Sequence, residues 1–113
     1  MSDNKEKVSV VIRAKNEDRW IGHCIQSVLD HLNTPEIIVI DNNSSDRTIE
    51  IARHFQQDPE TSNEGNYTDL KILNIDDYSP GRSLNMGAKE AKYENLLIIS
   101  SHCVLKKFNL KKI

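Results

Sequence analysis

The 113-residue sequence is short of several features, and each shortage removes a class of function. Cysteine is scarce: Cys24 and Cys103 are far apart and form no CxxC. The polar N-terminus MSDNKEK has no apolar core of a secretory signal, so reduced thiols in a cytosol are expected. No apolar run approaches the roughly 20 residues that a membrane span needs. Charge of one sign is also lacking. The 15 Lys+Arg against 17 Asp+Glu give −2, which leaves no electrostatic case for nucleic acid as the main partner. Glycine is missing where a dinucleotide would need it. The turn after the first apolar run reads RAKNED, with no GxGxxG, and no GxxxxGK[ST] occurs anywhere. This argues against a Rossmann dehydrogenase and excludes a P-loop nucleotidase. There is no internal repeat and no low-complexity segment, and the length allows one domain.

What is present is an alternation of two periods. VSVVI (8–12) is a β-branched run of the kind buried on both faces of a parallel sheet. Trp20, Ile21, Cys24, Ile25, Val28, Leu29 and Leu32 then recur at helical spacing, with Asp18 as N-cap and Asn33-Thr34-Pro35 as the stop. EIIVI (36–40) is a second strand, and DRTIEIARHF (46–55) a short helix with Asp46 in its first turn. Residues 56–69 have no periodicity and read as an exposed loop. LKILNI (70–75) is a third strand. A helix over about 83–92 turns Leu84, Ala88 and Ala91 inward, and LLIIS (96–100) is a fourth strand. Strand and helix alternate three times before the last strand. That order predicts an α/β fold with a parallel sheet and right-handed crossovers.

In an open parallel sheet, ligands bind beyond the carboxyl ends of the strands. Those ends carry Arg13, Lys15, Asn16 and Glu17; then Asp41, Asn42 and Asn43; then Asp76, Asp77 and Arg82; then Ser100, Ser101 and His102. Turns and caps favour Asp, Asn and Ser anyway, so each set alone says little. Four sets on one edge mark a site.

These residues resemble a family. VSVVIRAKNEDRWIGHCIQSVL, EIIVIDNNSSDRTIEIA, GRSLNMGAKEA and LLIIS, in that order over residues 8–105, look like the N-terminal half of family 2 glycosyltransferases. Asn16-Glu17 match the family's Asn-Glu, and Arg13 stands where the family has proline. Asp41, Ser44 and Asp46 match its Asp-Asp-Gly-Ser-x-Asp. Gly81, Ser83, Asn85 and Gly87 match its third motif. The resemblance implies a Rossmann-like GT-A half-domain: a mostly parallel four-stranded sheet with helices on both faces. It also implies a nucleotide-diphosphate-sugar site lined by Arg13, Ala14, Asn16, Glu17, Asp41, Asn43, Arg82, Ser100 and Ser101. Asp41 would accept hydrogen bonds from the nucleobase, since a carboxylate is an acceptor only. Arg82 would approach the diphosphate, although Leu84 stands where the family often has a basic residue.

The family's fourth strand normally ends in Asp-x-Asp, whose last carboxylate binds Mg²⁺ or Mn²⁺. Here Ser100, Ser101 and His102 occupy those positions. Three roles stand open for His102: a weak metal ligand, a hydrogen-bonding group to phosphate or sugar, or a rim histidine. Any Mn²⁺ or Mg²⁺ is therefore expected to bind weakly. A Cys103–His102 nucleophile is disfavoured, because neighbours on an extended strand face opposite ways.

The partitioning that follows is a polar tail (1–7), the nucleotide-sugar-binding unit (8–105) and a basic tail (106–113) with Lys106, Lys107, Lys111 and Lys112. The tail suggests peripheral membrane contact by a cytoplasmic protein. The last strand's open edge suggests a homo-oligomer or a covering partner. The acceptors implied are a polysaccharide or a lipid-linked molecule. The family's acceptor site and catalytic base follow the fourth strand, so a catalytically incomplete fragment is expected, or alternatively a non-catalytic assembly module on the same fold.

Overall fold

The computed structural model describes residues 7–56 and 68–104. The basic tail and most of the expected 56–69 loop lie outside them. Seven elements alternate: β1 (Val8–Ala14), α1 (Ile21–His31), β2 (Glu36–Asp41), α2 (Thr48–Arg53), β3 (Asp69–Asn74), α3 (Pro80–Glu90) and β4 (Asn95–Ser100). The four strands form one all-parallel sheet in the order β3-β2-β1-β4. The register sets Ala14 beside Asp41 and Asp41 beside Asn74, while Arg13 pairs with Ser100. The strand ends, and the polar residues on them, therefore lie level along one edge.

Successive strand residues face opposite sides, which divides the core in two. On one face Val10, Ile12, Ile37 and Val39 pack with Ile21, Cys24, Ile25 and Val28 of α1 and Ala52 of α2. On the other, Val11, Ile38, Ile40 and Ile75 pack with Met86 of α3 and Ala91 just beyond it. Each fully buried isoleucine or valine contributes about 1.5–3 kcal/mol. Helices thus cover both faces, as an α/β layered fold requires.

Several boundaries differ from the sequence expectation. β1 runs on to Ala14, which puts Arg13 within the strand. α1 begins at Ile21 without a side-chain cap, and Asp18 is used elsewhere. Trp20 precedes the helix and is 43% exposed rather than inward. α2 is shorter than expected, and α3 starts at Pro80 because Ser79 caps it, accepting from the Arg82 N–H at 3.2 Å. Leu84 faces outward at 42% exposure and Ala88 is exposed, and Ser83, Met86 and Gly87 face the sheet instead. β4 is an edge strand and only partly buried, unlike the central β1 and β2.

Candidate functional site

The strand order reverses between β1 and β4: one crossover series runs outward through β2 and β3, and the chain then returns to the far side of β1. A crevice opens at such a switch point. Here it is a cleft of ≈ 220 Å³ lined by Arg13, Ala14, Lys15 and Glu17 from the β1 end and by Ser100, Ser101 and His102 from the β4 end. Asn42 and Tyr78 close its sides. The backbone fixes this arrangement, because the Ser101 N–H donates to the Arg13 carbonyl at 3.0 Å and extends the ladder by one step. Arg13 is half-buried, and its Nε is buried without a hydrogen-bond partner. His102 Nδ1 lies 3.7 Å from Glu17 Oε2, an ion pair whenever the imidazole is protonated.

Behind the cleft, the β1 and β2 turns are stitched together. The Asn16 N–H donates to Ser44 Oγ at 2.8 Å, and Ser44 Oγ donates to Asp41 Oδ1 at 2.5 Å. The Ser44 N–H donates to Asp41 Oδ2 at 2.9 Å, and the Ser45 N–H returns to Asn16 Oδ1 at 2.7 Å. The Glu17 N–H donates to Thr48 Oγ1 at 2.8 Å. Asp46 accepts from the Thr48 hydroxyl, the Thr48 N–H and the Asp18 N–H. Slight desolvation would raise the Asp46 pKa, but these hydrogen bonds outweigh it and hold the carboxyl below its ordinary value. Asn16 and Asn43 take left-handed backbone angles (φ 50° and 52°) that asparagine tolerates better than most residues.

Six of the expected site residues therefore share the cleft: Arg13, Ala14, Glu17, Ser100, Ser101 and His102. Asn16 and Asp41 hold the adjoining turns, and Asp41 is fully buried against Ser44. Asn43 is exposed and its side-chain amide points to Asp76 Oδ1 at 3.4 Å. Arg82 is exposed on the first turn of α3 and does not line the cleft. Lys15, Asn42 and Tyr78 line it without having been singled out. Lys15 and Asn42 were visible as strand-end residues, but no sequence period marks Tyr78, a lone aromatic in the turn after β3.

The side chains lining the cleft offer a hard divalent cation few oxygen ligands. Such an ion needs several oxygen ligands. The cleft offers one carboxylate, Glu17, which already faces His102, together with two hydroxyls and two cations. Among the described residues, no cluster of three or more His, Cys, Asp or Glu could hold a metal. His102 and Cys103 also lie in the turn after β4, not on an extended strand. The strand-alternation argument against a Cys–His pair thus does not apply to them. Cys103 is exposed, whereas Cys24 is buried, with Sγ 3.7 Å from the Ser100 carbonyl. Burial, and secondarily the nearby Cys103, pushes the Cys24 thiol up to about 12.

An all-parallel sheet with helices on both faces and a polar cleft at its switch point defines an α/β protein of the doubly wound type. Comparison with known proteins narrows this. The model of glycosyl transferase family 2 matches residues 9–113, and the chain belongs to that family. It is 31% identical over 52 residues to 4,4'-diaponeurosporenoate glycosyltransferase of Staphylococcus aureus, which covers 46% of this chain and 14% of that protein. The fold matches S. aureus TarS (residues 1–349) with a TM-score of 0.74 at 24% identity, covering 94% of this chain and 30% of that one. TarS has also been solved in complex with UDP-GlcNAc. Mannosyltransferase PcManGT from Pyrobaculum calidifontis, solved with GDP-Man and Mn²⁺, matches with a TM-score of 0.69 at 20% identity, covering 86% of this chain and 28% of that chain. The chain thus has the Rossmann-like GT-A architecture and spans under a third of each of these relatives.

Proposed function

We propose that the chain binds the nucleotide-diphosphate part of a nucleotide sugar in the β1–β4 cleft. It serves as the donor-binding portion of a glycosyltransferase that acts on a polysaccharide or lipid-linked acceptor. The observation that carries this reading is the cleft itself: at the switch point, Arg13 and Lys15 stand opposite the Ser100 and Ser101 end of β4. Cations and hydroxyl donors suit phosphoryl oxygens. Pockets that enclose a drug-sized ligand run to about 300–1,000 Å³. The ≈ 220 Å³ here fits part of a nucleotide sugar and leaves the rest open.

In this reading Asn16 and Glu17 border the nucleoside. Asp41 contacts the base only when the Ser44 turn gives way, because it is fully buried behind Ser44. Arg82 and Asn43 meet the ligand from outside the cleft. Any divalent metal is held weakly, for want of carboxylates. A cytoplasmic site of action, with the basic tail against a membrane, goes with a lipid-linked acceptor.

Thermal unfolding with UDP, GDP, dTDP and CMP, with and without Mn²⁺, tests the proposal. Binding to the native state raises the midpoint. Stabilisation by none of the four ends the reading. One observation favours a non-catalytic module on the same fold, namely the single carboxylate in the cleft. Turnover of any nucleotide sugar removes that second reading.

A further inference from the structure

We propose that Arg13 and Lys15 neutralise the diphosphate in this cleft, so that nucleotide diphosphates bind without a divalent metal. The inference rests on reading the cleft as a nucleotide-diphosphate site, and it adds the means by which the charge is met. Three features carry it. First, Arg13 is a half-buried cation with no protein counter-charge. Among the described residues no carboxylate lies within ion-pair distance of it, and its buried Nε has no hydrogen-bond partner. A guanidinium without a counter-charge is available to pair with an anion in the cleft. Arg13 stands at the end of β1, where its backbone is fixed by the β2 and β4 ladders.

Second, Lys15 lines the same cleft from an exposed position, also without an ion pair among the described residues. Third, Glu17, the only carboxylate among the described residues that line the cleft, is turned toward His102 at 3.7 Å. Asp41, Asp76 and Asp77, acids at the neighbouring strand ends, do not line it, and Asp41 is buried against Ser44. Among the described residues that line the cleft, the balance is two cations against one acid that faces His102. A dication entering this cleft meets like charge, whereas a diphosphate meets opposite charge. Ser100 and Ser101 at the β4 end add hydroxyl donors for the phosphoryl oxygens.

The test is calorimetric titration of the full chain with UDP, GDP and inorganic pyrophosphate, in EDTA and, for the nucleotides, in Mn²⁺. We expect UDP or GDP to bind in EDTA with a Kd within about threefold of that in Mn²⁺, a difference well under 1 kcal/mol. Pyrophosphate should compete for the same site in EDTA. Arg13→Gln should weaken diphosphate binding about tenfold or more, as expected for loss of a charge-assisted contact. Arg13→Lys should recover only part of this, since an ammonium lacks the guanidinium fork. Lys15→Gln, at an exposed position with little consequence for folding, serves as the second variant and should weaken binding and flatten its salt dependence.

Nucleotide binding that vanishes in EDTA and returns with Mn²⁺ overturns the inference but leaves the nucleotide site standing. So does wild-type affinity in the Arg13→Gln/Lys15→Gln double variant. Absence of binding by any nucleotide in either condition removes the site and the inference together.

Discussion

Gly87 of α3 lies directly on Val11 of β1: a Cβ at position 87 would stand 2.7 Å from Val11 Cγ2 and 2.8 Å from Cγ1. Both residues are buried, and Val11 sits between Ile38 and Ile98 in the centre of the sheet. The glycine is therefore a packing requirement that lets α3 approach the sheet. Gly87→Ala should gain up to about 1 kcal/mol of helix propensity. It should lose more than that to overpacking, which typically costs about 1–3 kcal/mol. The β-branched Val11 cannot turn aside. Denaturant midpoints should show a net loss. The Val11→Ala/Gly87→Ala double variant should be more stable than the two single effects sum to, by about 1 kcal/mol. Strict additivity would show that the two side chains do not compete for the space.

At the opposite end of the sheet, Glu36 is fully buried yet charged. Ser9 Oγ donates to its Oε1 at 2.6 Å and the Lys92 N–H at 2.9 Å. Lys71 Nζ lies 3.1 Å from Oε2, a charge contact without hydrogen-bond alignment. Burial alone would raise the Glu36 pKa. The bonds from Ser9 and Lys92 and the Lys71 charge outweigh it and set it below the ordinary 4.5. The unfolded chain then takes up a proton at a pH where the folded carboxylate stays ionised. This contribution to stability is present above about 4.5 and is lost as pH falls through the lower folded value. Urea unfolding of wild type and Glu36→Gln, followed from neutral pH down through the carboxylate range, should show a shallower acid limb for the variant. Glu36→Ala should cost about 3 kcal/mol, since it strands the Ser9 hydroxyl and the Lys92 N–H.

Asp46 ties the β1 turn to the start of α2. Its Oδ2 accepts from the Asp18 N–H at 3.1 Å and its Oδ1 from the Thr48 N–H at 2.9 Å. Asp46→Ala should cost about 1 kcal/mol, the usual loss for a removed helix-start acceptor. Amide hydrogen exchange gives a local readout. The Asp18 and Thr48 N–H groups should exchange faster in the variant, while the Ser44 N–H, held by Asp41, should be unchanged. Equal acceleration at all three would mean that the turns melt as one unit and that Asp46 is not a separate tie.

The fold was legible in the sequence because its strongest signals are buried. VSVVI and EIIVI became the two central strands, and the period through Ile21, Cys24, Ile25 and Val28 became the inner face of α1. Signals on the surface misled. Trp20 fits the helical period but sits one residue outside the helix. Leu84 fits the helical period with Ala88 and Ala91 but lies on the outer side of α3, where Ser83 and Gly87 take the inner one. Strand-end polarity located the cleft but could not distinguish a residue that faces it from one that folds the turn behind it. Asn16 is spent on Ser44 and Ser45, a pairing across 28 or 29 positions that no local pattern reveals, and Asp41 is spent on Ser44 three residues on. Arg82 was placed by motif spacing, and its position on the exposed first turn of α3 keeps it off the cleft wall. Tyr78 gave no signal, since a single aromatic in a turn has no period.

His102 occupies the point where a second carboxylate would turn this cleft toward metal binding, for its ring already lies 3.7 Å from Glu17 Oε2. Replacing it by aspartate would set two carboxylates side by side and remove the imidazole that faces Glu17. Without metal those like charges repel, so His102→Asp should lower the thermal midpoint in EDTA. With Mn²⁺ the pair supplies the oxygen ligands a hard cation prefers. Mn²⁺ should then restore the midpoint and tighten UDP or GDP binding by about tenfold, or about 1.4 kcal/mol. His102→Asn, similar in size and uncharged, controls for loss of the ring and should stay indifferent to Mn²⁺. Calorimetry of the three proteins, each with and without Mn²⁺, separates the effects. A His102→Asp protein that ignores Mn²⁺ would place position 102 away from the diphosphate. A Mn²⁺ response already present in wild type would instead assign the imidazole itself as a ligand.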